Sequence, residues 1–169
     1  FIFVGSFTAM KGIPELVAAL QAMDGGLKLC FVGSGPLEKE IEFLNMKHHL
    51  TLLKNLEQDK IADLYRHSRF LVLPSKSEAF GLVVSEGMFC GIPAVVSRVG
   101  GLTMQVREGD NGIFFDSVTS QSIELTLNKC LKMSNEHYLD LVKGAMESNK
   151  EYSLKNIVLQ HKQIYRRLS

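Results

Sequence analysis

Apolar residues run along this chain in two rhythms. Short, nearly unbroken runs rich in Val, Ile, Leu and Phe, bounded by glycine or polar turns, alternate with longer stretches in which apolar side chains recur every three or four positions. The first rhythm is that of strands buried on both faces, the second that of helices with one packed face. Strands are predicted at 1–5, 28–32, 50–53, 70–73, 94–97 and, shorter, at 112–115. Between them, Ile13, Leu16, Val17 and Leu20 mark one helical face, Leu37, Ile41 and Leu44 a second, and Ile61, Leu64 and Tyr65 a third. Pro14 and Pro36 each suit a first helical turn. Beyond Asp116 the strand rhythm ends. Three helical patterns follow, on Ile123, Leu127 and Leu131, on Tyr138, Val142 and Met146, and on Leu154, Ile157, Val158 and Tyr165.

Strand and helix in strict alternation define successive βαβ units. The expected fold is therefore a Rossmann-like, doubly wound α/β domain, with six parallel strands, helices on both faces and a helical C-terminus. No repeat, low-complexity tract or linker interrupts the pattern, so residues 1–169 are expected to form one domain. The opening Phe1-Ile2-Phe3-Val4 reads as a buried strand with neither an initiator methionine nor a signal-peptide start, so the chain is expected to begin in mid-protein.

Composition narrows the function classes. A chain of 169 residues that is 46% hydrophobic fills one substantial core. A net charge of +1 supplies no long-range field towards nucleic acid or anionic lipid, so an anionic ligand has to be held locally. Cys30, Cys90 and Cys130 are odd in number, lie in apolar runs and lack metal-site spacing, which reads as reduced, buried thiols in a cytoplasmic protein. The longest almost uncharged stretch, 79–97, contains Glu86, three glycines and Pro93, poor material for a membrane-spanning helix.

That stretch also holds the most informative residue. Glu86 is its only ionised side chain, in a segment that otherwise reads as a buried helix. A buried, unpaired carboxylate costs several kcal/mol, so a partner is expected. In a parallel sheet the cleft lies beyond the carboxyl ends of the strands, where two carboxylate oxygens suit a ribose diol. The competing reading is a glutamate on a wet helix face. Eight positions earlier Glu78 stands in a strand-to-helix loop, placed either to touch a sugar or to favour the positive end of the helix dipole. The N–H groups of Phe80, Gly81 and Leu82 at that helix start form a ready phosphate site. In the first strand-to-helix turn, from Gly5 to Gly12, Lys11 is available to neutralise a diphosphate, or is a solvated lysine. The second turn, Gly33-Ser34-Gly35-Pro36, is glycine-rich but lacks the third glycine of the dinucleotide fingerprint. There is no P-loop, no HExxH and no Asp-x-Asp, and none of His48, His49, His67, His137 and His161 stands out as a base.

Taken together, Lys11-Gly12, Val32-Gly33-Ser34-Gly35-Pro36, the block from Leu73-Pro74-Ser75 through Glu78-Ala79-Phe80-Gly81-Leu82 and Glu86-Gly87-Met88 to Cys90-Gly91, Gly100-Gly101 and Asn111-Gly112 resemble the C-terminal, donor-binding domain of family 4 glycosyltransferases, retaining enzymes of GT-B fold with an E-x7-E motif. The resemblance runs in order over most of the chain. It implies one half of a GT-B fold that binds a nucleotide-diphosphate sugar, a UDP- or GDP-sugar, for hexosyl transfer to a glycan or lipid-linked acceptor. No metal or other cofactor would be required, and an N-terminal acceptor domain would complete the enzyme, in the cytoplasm or at the inner face of the membrane. It implies Glu86 at the donor ribose, catalytic Glu78 near the sugar, and the backbone of Phe80, Gly81 and Leu82 with Lys11 on the diphosphate; Gly5 and Gly33 join the donor-binding set. Two positions depart from the family's pattern. Ser6 stands where an arginine is usual, and Met104 where a glutamate follows the Gly-Gly segment; Arg98 is a candidate to substitute for the missing cation. The rival readings are a non-catalytic nucleotide-sugar-binding scaffold and a sugar-nucleotide epimerase of the same fold.

Overall fold

A computed structural model describes residues 1–46 and 49–151. Six strands, β1 (Ile2–Val4), β2 (Lys28–Val32), β3 (His49–Leu53), β4 (Leu71–Leu73), β5 (Ala94–Ser97) and β6 (Gly112–Phe115), form one parallel sheet in the order β3-β2-β1-β4-β5-β6. β1 and β4, the central pair, meet with Ile2 opposite Leu71. The strands match the predicted runs to within a residue at each end.

The connecting helices are α1 (Ile13–Ala22), α2 (Glu38–Glu42), α3 (Gln58–Arg66), α4 (Leu82–Phe89) and α5 (Leu102–Gln105), followed by α6 (Ser120–Lys132) and α7 (Asn135–Glu151). Right-handed crossovers fix their faces. Stepping outward from β1 to β3 puts α1 and α2 on one side, and stepping from β4 to β6 in the other direction puts α4 on the opposite side. α6 returns to pack on α1, and α7 packs on α4, so both faces are covered. Pro14 sits in the first turn of α1, as its fixed φ favours. Pro36, in contrast, lies in a turn before α2, which starts only at Glu38. The pattern on Leu154, Ile157, Val158 and Tyr165 lies outside the described residues.

The core is continuous through the sheet. Phe3, Phe7 and Phe31, all fully buried, pack ring to ring with centroids 5.7–6.2 Å apart. On α6 the buried face is Ile123, Leu127 and Cys130, whereas the expected Leu131 is 38% exposed. The reason is helical geometry: at 100° per residue, position i+7 returns to within about 20° of i, while i+8 has turned away by about 80°. α7 shows the same shift, burying Leu141 and Ala145 and exposing Met146. Cys130 is buried, and burial pushes its thiol up to about 12, but Cys30 and Cys90 are only half-buried, which corrects the expectation of three buried thiols.

Candidate functional site

The sheet order reverses between β1 and β4, since β1 connects outward to β2 while β4 connects the other way. Their two following loops diverge there and leave a crevice beyond the carboxyl ends of the strands. A cleft of about 360 Å³ occupies that place, lined by Gly5 and Lys11 from the first loop and by Glu78, Ala79, Phe80, Gly81, Leu82 and Val83 from the second. A larger hollow of about 500 Å³ opens at the opposite end, around Phe1, Lys28 and His49. It lies at the amino ends of the strands, where parallel sheets offer no converging helix starts, so the smaller cleft is the candidate site.

Local chemistry explains the shape of the cleft. Lys11 ends a short 3-10 turn after β1 and forms a part-buried ion pair with Glu78 through Nζ and Oε2. The fully buried Ser75 hydroxyl donates to the same carboxylate at 3.4 Å. Two further ties join the loops, from the Lys76 amide to the Met10 carbonyl at 2.8 Å and between Lys76 and Glu15 at 2.7 Å. Gly81 caps α4 in the left-handed conformation, with φ of 82°, and the next N–H groups enter a helix that has no earlier carbonyl to accept them.

The loop from Glu78 is also held from behind. The Gly101 amide donates to the Glu78 carbonyl at 3.1 Å. A Cβ at Gly100, where φ is 46°, would stand 1.9 Å from that same oxygen, and one at Gly101 would stand 2.4 Å from the Ala79 carbonyl. The Gly-Gly pair is therefore a backing surface against which residues 78–80 lie. Gly33 does not line the cleft; a Cβ there would meet the Gly5 carbonyl at 2.0 Å, so it packs the second loop onto the first.

Glu86 lies beside the cleft and not among the residues that line it. It lies one turn beyond Val83 on the same face of α4, half-buried, and lines a neighbouring hollow with Gln58, Tyr65 and Phe89. Gln58 Nε2 donates to its carboxylate at 3.4 Å, a long bond. Beside it the Tyr65 hydroxyl is buried with no hydrogen-bond partner among the described residues, and burial first, then the Glu86 charge, push its pKa up. Lys11 and Glu78 thus converge directly, and Glu86 stands one helical turn along the same wall.

The departures are equally plain. Ser6 is exposed, and Met104 is 74% exposed on α5. Arg98 does not replace the missing cation: it lies over the Phe114 ring at 4.0 Å and reaches Glu108 at 3.4 Å, away from the cleft. No site role follows from the sequence for Ser75, which lies in the motif block, for Tyr65, which marks a helix face, or for Gln105. Gln105 gave no signal by which to find it, since Thr103, Arg107 and Glu108 around it are polar too and its burial follows only from the fold. Among the described residues no helix is long and apolar enough to cross a membrane.

A six-stranded Rossmann-like sheet with its cleft at the order reversal defines the class: an α/β domain of the kind found in GT-B glycosyltransferases. The chain belongs to the glycosyl transferases group 1 family, which it matches over residues 1–148. It is 35% identical over 173 aligned positions to an uncharacterized glycosyltransferase of Methanocaldococcus jannaschii, covering 99% of this chain and 48% of the relative. Sucrose-phosphate synthase from Thermosynechococcus elongatus superposes with a TM-score of 0.82 at 29% identity, over 99% of this chain and 45% of that one. Anabaena HepE, in complex with UDP and glucose, shares the fold with a TM-score of 0.80 at 22% identity, over 99% of this chain and 48% of that one. The chain spans about half the length of these relatives.

Proposed function

We propose that this chain is the donor-binding domain of a retaining family 4 glycosyltransferase that uses a nucleotide-diphosphate sugar. The observation that carries the reading is the convergence of Lys11, Glu78 and the first turn of α4 on one cleft at the sheet reversal. In this reading the diphosphate sits on the N–H groups at the start of α4, where the helix dipole favours negative charge. Lys11 then turns from Glu78 to the diphosphate and neutralises the charge that grows on it as the glycosidic bond to the sugar breaks. Glu78 is left at the sugar, and Glu86, whose bond to Gln58 is long, takes the ribose hydroxyls. Charge neutralisation by backbone and lysine makes a metal dispensable. Of the two carriers expected, UDP or GDP, the occurrence of UDP and glucose in a protein of this fold supports UDP. An acceptor half outside these 169 residues would bring a glycan or lipid-linked acceptor to the sugar, in the cytoplasm or at the inner face of the membrane, which agrees with a chain half the length of its relatives.

Calorimetric titration with UDP, GDP and ADP tests this. One nucleotide should bind, and Glu86→Ala should weaken it by about 1–3 kcal/mol, the scale of a lost hydrogen bond to a charged group. Equal affinity in wild type and variant would remove Glu86 from the ribose. The exposed Ser6 and the distant Arg98 favour one second reading, a binding domain without catalysis. The isolated domain is expected to transfer nothing; sugar transfer by the full-length protein, abolished in Glu78→Gln, would exclude this second reading.

A further inference from the structure

We infer that Gln105 is a positioning residue for the diphosphate, an inference that rests on the donor-binding reading above. Its side chain, 2% exposed, lies behind the cleft loop and makes three polar contacts there. Nε2 donates to the Phe80 carbonyl and, at 3.4 Å, to the Gly81 carbonyl, while Oε1 accepts from the Ser85 hydroxyl at 2.6 Å. Two carbonyls only accept, so the amide nitrogen must face them, and the Ser85 hydroxyl holds the amide in that sense.

The planarity of the peptide bond converts these contacts into an orientation. In a trans peptide the N–H of one residue points opposite to the C=O of the residue before it. Pinning the carbonyls of Phe80 and Gly81 towards α5 therefore turns the N–H groups of Gly81 and Leu82 away from α5, to the side on which those residues line the cleft. Gly101 does the same one step earlier, since its hold on the Glu78 carbonyl turns the Ala79 N–H outward. Three of the loop's amides are thereby aimed by groups that never touch a ligand.

Gln105 is itself fixed. The side chain of Asn111, fully buried, donates to the Gln105 carbonyl at 2.9 Å and to Ser148 Oγ at 2.7 Å, and its Oδ1 accepts from the Arg107 amide at 2.6 Å. Ser148 Oγ donates in turn to the Gly144 carbonyl at 2.8 Å. The chain of hydrogen bonds runs from α7 through Asn111 to Gln105 and ends on the cleft loop. A four-residue helix with no such support would leave the amide free to turn. Preorganised dipoles of this kind act on developing charge without reorganising during the reaction.

The test is a ratio, so that partial unfolding does not imitate the effect. Affinities for UDP and UMP, and in parallel for GDP and GMP, are measured by calorimetry in wild type, Gln105→Met and Ser85→Ala, with thermal unfolding of each. Wild type should bind the diphosphate more tightly than the monophosphate. Gln105→Met should lower that preference about tenfold, and Ser85→Ala, which only releases the amide, about threefold, on the scale of one or two hydrogen bonds. An unchanged preference in Ser85→Ala and in folded Gln105→Met would overturn the positioning role. If Gln105→Met unfolds, Ser85→Ala alone decides. A wild type with no diphosphate preference would overturn the donor reading itself, and this inference with it.

Discussion

Gly101 has an ordinary helical φ of −64°, so alanine would suffer no backbone strain there, only the collision of its Cβ with the Ala79 carbonyl and the Phe80 Cα at 2.6 Å. Gly101→Ala is expected to destabilise by about 1–3 kcal/mol, the usual range for overpacking, and to weaken UDP binding as the loop yields. Urea unfolding and titration on the same sample check both effects. At this scale the sequence was legible wherever a residue violated its surroundings. Glu86 in an apolar helix was visible as an anomaly, while Lys11 in the first strand-to-helix turn left two readings open and proved to form an ion pair with Glu78. Gly100 and Gly101 carried no such signal, because a glycine that backs another loop looks like any turn glycine until that loop is in place. The expectation for Arg98 failed for a similar reason. Charge is legible in a sequence, but the Phe114 ring that captures it comes from a neighbouring strand.

The helices divide by what buries them. Leu127, fully buried on α6 where it packs against α1, and Leu125, 55% exposed two positions earlier, share one helix and one side-chain type. Leu127→Ala is expected to cost about 2–5 kcal/mol through lost burial and a residual cavity. Leu125→Ala should stay within about 0.5 kcal/mol. Chemical denaturation of the two variants separates them. Strand positions were legible to within a residue because central parallel strands are apolar throughout. Helix faces were less so. On α7 the expected stripe advanced in steps of four and so drifted off the packed face, which carries Leu141, Ala145 and Ser148 and lies so close at Gly144 that a Cβ there would meet the Asp110 carbonyl at 2.1 Å.

For the molecule as a whole, the site is a product of topology. No residue of the cleft neighbours its counterpart in sequence: Lys11 and Glu78 are 67 positions apart and meet because β1 and β4 are adjacent. The alternation of elements made the doubly wound fold legible, and the fold then placed the cleft at the reversal. The displacement of Glu86 into the neighbouring hollow was not legible, since it depends on how α3 lies against α4. Ligand binding should be felt globally. UDP at about a hundredfold its Kd is expected to stabilise the fold by about 2.7 kcal/mol and to raise Tm by roughly 5–10 °C, measured by differential scanning fluorimetry. Glu86→Ala should reduce that shift at the same concentration. The backing of the cleft loop by Gly100, Gly101 and Gln105 has a consequence for protein engineering. The loop's shape is written in two places, residues 74–85 and residues 100–111, separated by a whole strand. A donor preference transplanted from a relative by exchanging the first stretch alone would arrive without its mould, so the transferable unit is the pair.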